Sequence, residues 1–293
     1  MKPLPNSDFR VSRYMLENHD FALSSGSYEG ATNLITETTW KSIVSLPDDV
    51  SVRTSDKYGP ELDRMWEYCG IWGRVVLALQ ASCKDPMKSP TAVAASDAAD
   101  EFQAAIYCAL VGYYRVAFSC LRNVLEQMTI GARLALVPDT NFFRDWRNGS
   151  EKIGLGWAAD TIRRNAEIRA LEKHLHKSIS DSLFDQAPKG FVRRLFAELS
   201  KYTHGSAGFT DADFRQSNGP IFVAETFITW STAVLKTYTV VLHELKLAHP
   251  KLKDLPYGPP EIALDELRRR ILTDIASTDR DYRFLQALVN YWP

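Results

Sequence analysis

The chain has 293 residues, 45% hydrophobic and 24% charged, which is ordinary for a globular protein and long enough to bury one large core. Its 35 basic and 36 acidic residues leave a net charge of -1, so no global positive field draws it to nucleic acid or anionic lipid. The opening stretch, MKPLPNSDFRVSRYMLENHDFALSSGSYEG, holds charges throughout and no apolar run suited to a signal peptide. A cytoplasmic chain is therefore expected, with the N-G-S sequon at Asn148 unglycosylated.

Residues 1–58 mix polar, Gly/Ser and short β-branched pieces and read as an irregular N-terminal arm, with TNLITETTW as its one extended or short helical element. From Pro60 the period changes. Leu62, Met65, Trp66, Cys69, Trp72, Val76 and Leu79 recur at spacings of three and four, which predicts a long amphipathic helix. The breaker KDPMKSP ends it. Two helices follow around the glycine of LVGYY, the first over about 91–111 and dense in alanine, the second over about 113–136. So short a connection predicts an antiparallel hairpin, and the alanines allow a neighbouring helix to come close.

Beyond a short element at NFFRDW, a charged helix is expected over about 157–179, then one over about 188–204 that ends in LSKYTHGS. A polar loop leads to the most apolar segment, from Ile221, which Glu225 and Lys236 interrupt. That pattern fits a buried bundle helix rather than a membrane span. A proline-rich linker precedes a last amphipathic helix in ALDELRRRILTDI. The expected architecture is all-α: an arm over 1–58, a helical bundle over 59–250, and a linker with C-terminal helices over 251–293.

Two constellations hold chemistry. On the hairpin's second helix, Arg115, Ser119, Arg122, Glu126, Thr129 and Arg133 fall on a stripe about 80° wide, opposite the apolar side. Such a stripe can line a polar groove; spacing alone favours a solvated face. In LSKYTHGS, Ser200 and His204 are i,i+4 neighbours, and an imidazole titrating near neutrality can move a proton, as RNA cleavage through a 2′-hydroxyl requires. The competing reading makes His204 a last-turn residue favoured by the helix dipole, with Gly205 as the left-handed stop.

His174 and His176 stand two apart, poor spacing for a helical metal site. The four cysteines lack metal spacing and read as reduced core residues. No phosphate-cradling glycine loop occurs, so neither metal nor cofactor is expected. Nucleic-acid contact, where the chain makes any, falls on Arg163, Arg164, Arg169 and Lys173 of IRRNAEIRALEKHLHK, provided Arg193 and Arg194 extend that patch.

The hairpin AADEFQAAIYCALVGYYRVAFSCLRNVLE and the helix end LSKYTHGS together resemble the HEPN superfamily and its uncharacterised bacterial relatives over residues 92–245. There a small-residue helix, a glycine turn and an R-x-x-x-E helix pair with a later helix ending in histidine. The resemblance implies a helical bundle, a homodimer, and a role in prokaryotic stress or phage defence, where many relatives are ribonucleases. Their motif sets an arginine shortly before the histidine; this chain has Ala197, Glu198 and Leu199 there. The resemblance thus implies first a binding role toward a protein, RNA or small ligand. The second implied reading is a metal-independent ribonuclease in which His204 is acid or base, Arg122 substitutes for the missing arginine, and Glu126, Ser200 and Tyr202 position them.

Overall fold

A computed structural model describes residues 41–150, 154–185, 190–203, 220–249 and 280–291. The chain is an all-α helical bundle, with α1 (Leu46–Ser82), α2 (Pro90–Leu110), α3 (Tyr114–Leu136), α4 (Thr140–Arg147), α5 (Leu155–Ile162), α6 (Ala166–Ile179), α7 (Phe191–Thr203), α8 (Ala224–Ala248) and α9 (Arg280–Asn290). Among the described residues no helix is long and apolar enough to cross a membrane.

The first helix starts before Pro60, correcting the expected start. A π-helical turn over Lys41–Ser45 runs straight into its first turn, which holds Pro47, Asp48 and Asp49. Val50, Thr54 and Tyr58 then repeat at i,i+4 and are buried, so the inner face continues through a threonine that hydropathy alone treats as polar. Pro60 kinks the helix instead of starting it: Tyr58 leaves helical geometry at φ -128°, ψ 25°. The Tyr58 ring stacks on Phe227 at 4.4 Å and its hydroxyl donates to the Ala224 carbonyl at 3.3 Å, pinning the kink to the start of α8.

The hairpin forms as expected. Gly112 sits at φ +83°, and a Cβ there would collide with the Ile221 backbone, so glycine is required both for the turn and for the close approach. At the far end a Cβ on Gly131 would lie 2.6 Å from the Ala94 methyl, a measure of how closely the alanine side of α2 meets α3. The small alanine side chains also let α1 reach the α2 backbone, where the buried Trp72 indole donates to the Ala95 carbonyl at 2.9 Å. Trp72, Phe102 and Tyr238 form one aromatic cluster, Phe102 and Tyr238 stacked at 4.0 Å. Burying each such side chain is worth about 1.5–3 kcal/mol. Trp66, in the same three-and-four pattern as Trp72, points outward and is 59% exposed.

The charged helix is two helices. Asn165 takes extended geometry and its side chain accepts from the Glu167 amide at 2.9 Å, an N-cap that ends α5 and begins α6. After α6, Ser180 at φ 52° turns the chain, and the Glu172 carboxylate collects the Leu183 and Phe184 amides. Burial raises the Glu172 carboxyl above its ordinary range, the two amides opposing. The apolar segment is the expected core helix, α8, buried along Ala233–Leu245. TNLITETTW and ALDELRRRILTDI lie outside the described residues. The described C-terminal helix is α9, where Phe284 stacks on Phe191 at 4.4 Å and Asp281 meets the buried Lys236 at 2.8 Å.

Candidate functional site: the junction of α3 and α7

Helix α3 is central, packed on α2, α5, α7 and α8. Its polar stripe is solvated at Arg115 and covered further along, correcting the solvated reading for that part: Thr129 and Arg133 are buried, and the Arg122 and Glu126 side chains are 22% and 21% exposed. The helical wheel tells which residues share a side; four neighbouring helices decide what covers it.

On α7, Phe196 and Ser200 stand one turn apart. Arg122 bridges both, its Nε donating to Ser200 Oγ at 3.2 Å while its guanidinium lies 4.4 Å from the Phe196 ring centre. Its Nη1 also pairs with Glu126 Oε2 at 3.3 Å. Glu126 in turn accepts from the Leu155 amide at 3.4 Å, placing a carboxylate at the positive end of the α5 dipole. Ser200 donates its hydroxyl proton to the Phe196 carbonyl at 2.7 Å and so meets Arg122 as an acceptor. Its oxygen is thereby occupied on both sides, which fits a positioning role and not a nucleophile.

Tyr202 closes the same seam through its ring and backbone. The ring stacks on Phe118 at 3.7 Å with 7° between planes, and its carbonyl accepts from Arg115 Nε at 3.3 Å. A cation on a carbonyl in the last turn of α7 opposes the negative end of the dipole. The structure therefore brings Arg122, Glu126, Ser200 and Tyr202 to one junction. His204 lies outside the described residues, one position beyond the end of α7.

Further along α3 the stripe changes character. Thr129 Oγ1 is 2.7 Å from the Leu125 carbonyl and 2.8 Å from Glu244 Oε1 of α8. The carbonyl can only accept, so when the single hydroxyl proton goes there, Glu244 must supply the proton between itself and Thr129. Burial acts in the same direction, pushing the Glu244 carboxyl up to about 8 against the opposing Thr129 bond, so the group is neutral at pH 7. Arg133 is 7% exposed, and its guanidinium lies 4.1 Å from the Trp157 ring centre. Among the described residues its Nε and Nη1 have no hydrogen-bond acceptor, and burial lowers its basicity. Sequence reasoning missed Glu244 as a site residue; a lone acid in VVLHEL, inside the most apolar segment, is the signal for it.

The basic run is divided. Arg163 follows α5 and faces Asp160 at 3.7 Å and Asp185 at 3.5 Å, while Arg164, Arg169 and Lys173 are exposed on the turn and on α6. Arg193 and Arg194 are tied down in place of extending the patch: Arg193 donates to Asp160 at 2.8 Å, and Arg194 grips both oxygens of Asp181 at 3.0 and 2.9 Å. The Asp181 carboxyl is held below its usual range because these bonds and the charges of Arg194 and Arg280 outweigh its burial.

Among the described residues no group of three or more His, Cys, Asp or Glu side chains is placed to hold a metal ion. All four cysteines are free, and burial raises the Cys69, Cys108 and Cys120 thiols, Cys120 to about 12. His249 meets the Thr91 hydroxyl, and burial lowers its basicity. No protein-family profile, curated protein or solved structure matches this chain.

Proposed function

We propose that this chain is a HEPN-like helical protein of a prokaryotic stress or phage-defence system, cytoplasmic and homodimeric, that acts mainly by binding a partner or ligand. The observation that supports a binding role is the commitment of Arg122 on three sides, to Ser200, Glu126 and Phe196. A guanidinium held that way fixes the angle of α7 against α3. In this reading the junction is a polar latch and His204 has a structural or binding role. Arg164, Arg169 and Lys173 offer a second, positively charged face to a partner, RNA included.

The alternative is a metal-independent ribonuclease using His204 and Arg122. It draws support from the part-exposure of Arg122 and Glu126, which leaves room for a phosphate beside the guanidinium. Incubating the purified chain with a single-stranded RNA in EDTA, beside His204→Ala, separates the two. The binding reading expects no cleavage by either protein. Cleavage by the natural sequence that disappears in His204→Ala, with an unchanged melting temperature, assigns the chain to the ribonuclease.

A further inference from the structure

Arg133 stands in the last turn of α3, about 16 Å along the helix from the Arg122 latch. It is 7% exposed, and its guanidinium lies 4.1 Å from the Trp157 ring centre of α5 and 5.2 Å from that of Phe142 of α4, two rings that stack at 4.5 Å. The rings and the negative end of the α3 dipole account for a positive charge here. They do not account for its N–H edges. A guanidinium grips an oxyanion through either of two edges, Nε with Nη2 or Nη1 with Nη2, and the bare Nε and Nη1 leave both open among the described residues. Buried charged donors without acceptors are costly, and a methionine would pack here without that cost. Asp139 acts on the charge of Arg133 but is committed elsewhere, its Oδ1 accepting the Phe142 amide at 3.0 Å as the N-cap of α4.

We propose that Arg133 is the anion-binding residue of a small-ligand site between α3, α4 and α5, which takes a carboxylate with an aromatic or apolar body. A planar carboxylate meets the open fork with both oxygens. The Asp139 charge opposes a second negative charge, so a phosphate dianion fits less well. The body of the ligand has an apolar rim to lie on: Trp157 is 39% exposed, and Val137, whose amide donates to the Arg133 carbonyl one turn back, is 40% exposed. The way in is past Trp157, the ring that lies on the guanidinium. Because that side chain is part-exposed, a rotamer change uncovers the edge without unpacking Ile130, Leu134 and Ala158 beneath. The site shares no residue with the Arg122 junction and holds or fails independently of the binding role proposed above.

The probe is benzoate, followed by saturation-transfer NMR on the full chain in a buffer free of other carboxylates. A Kd of about 1 mM is expected for the natural chain, with benzamide, which lacks the charge, and inorganic phosphate each at least ~10-fold weaker. Arg133→Met keeps an apolar stem and loses both bare donors; it is expected to melt no lower than the natural chain and to bind benzoate at least ~10-fold more weakly. Arg133→Lys, which keeps the charge and loses the fork, weakens binding by ~5-fold or more and carries the test if Arg133→Met fails to fold. No binding by the natural chain up to ~20 mM benzoate overturns the site, including the case in which a carboxylate of the chain's own, outside the described residues, occupies the guanidinium. Unchanged binding in either variant places benzoate elsewhere and overturns it too. Phosphate bound more tightly than benzoate overturns the carboxylate as the ligand class.

Discussion

The outer face of α1 and the polar stripe of α3 invert the usual pattern in opposite directions. On α1, Trp66 and Leu77 face water; on α3, Thr129 and Arg133 are buried and Arg122 and Glu126 are mostly covered. The difference shows that helical periodicity identifies faces without saying which face is inside. Each inversion has its own energetic signature. The polar stripe is kept by specific partners on neighbouring helices, and the apolar stripe has none among the described residues.

Contrasting perturbations of the two faces sharpen this. The largest expected effect is at Glu244, the partner of Thr129 at the inner end of the stripe. Below about pH 4.5 both folded and unfolded chains hold this proton. Between there and about 8 the unfolded chain releases it while the folded chain retains it, so stability falls as pH rises. Over that window the loss from this one group totals roughly 4 kcal/mol, and Glu244→Gln is expected to remove it. Urea unfolding of both proteins at pH 5, 6.5 and 8 checks this; parallel pH profiles contradict a buried neutral Glu244.

A smaller loss is expected at the junction. Arg122→Ala removes the bond to Ser200, the contact with Phe196 and the pair with Glu126, costing about 2 kcal/mol in the same unfolding experiment. The smallest effect belongs to α1: Trp66→Ser, measured where the chain is monomeric, changes stability by less than about 0.5 kcal/mol. A Trp66→Ser loss as large as that of Arg122→Ala would show that the tryptophan serves the fold, and the comparison between the faces would collapse.

How legible each part was in the sequence follows from the same physics. The hairpin was readable because Gly112 and the alanines of α2 are local signals with one structural meaning. The start of α1 was not, because Thr54 is buried by bonding its own helix, its hydroxyl on the Val50 carbonyl at 2.9 Å, and hydropathy counts it as polar. Nor was the break at Asn165, a cap hidden inside a run of charges that reads as one helix. Arg122, Glu126, Ser200 and Tyr202 were singled out and do meet, but their partners Phe196, Phe118 and Leu155 come from the packing of three helices distant in sequence. Arg193 and Arg194 show the reverse. Their charge is plain in the sequence, and its neutralisation by Asp160 and Asp181 is a tertiary fact.

The binding role proposed above has Arg122 hold two helices together and not act on a substrate. It is tested most directly by Arg122→Gln, with melting temperature and RNA cleavage in EDTA followed on the same preparation. A lower melting temperature, with no cleavage by either protein, is the predicted result. An unchanged melting temperature with loss of a cleavage activity present in the natural chain would contradict it.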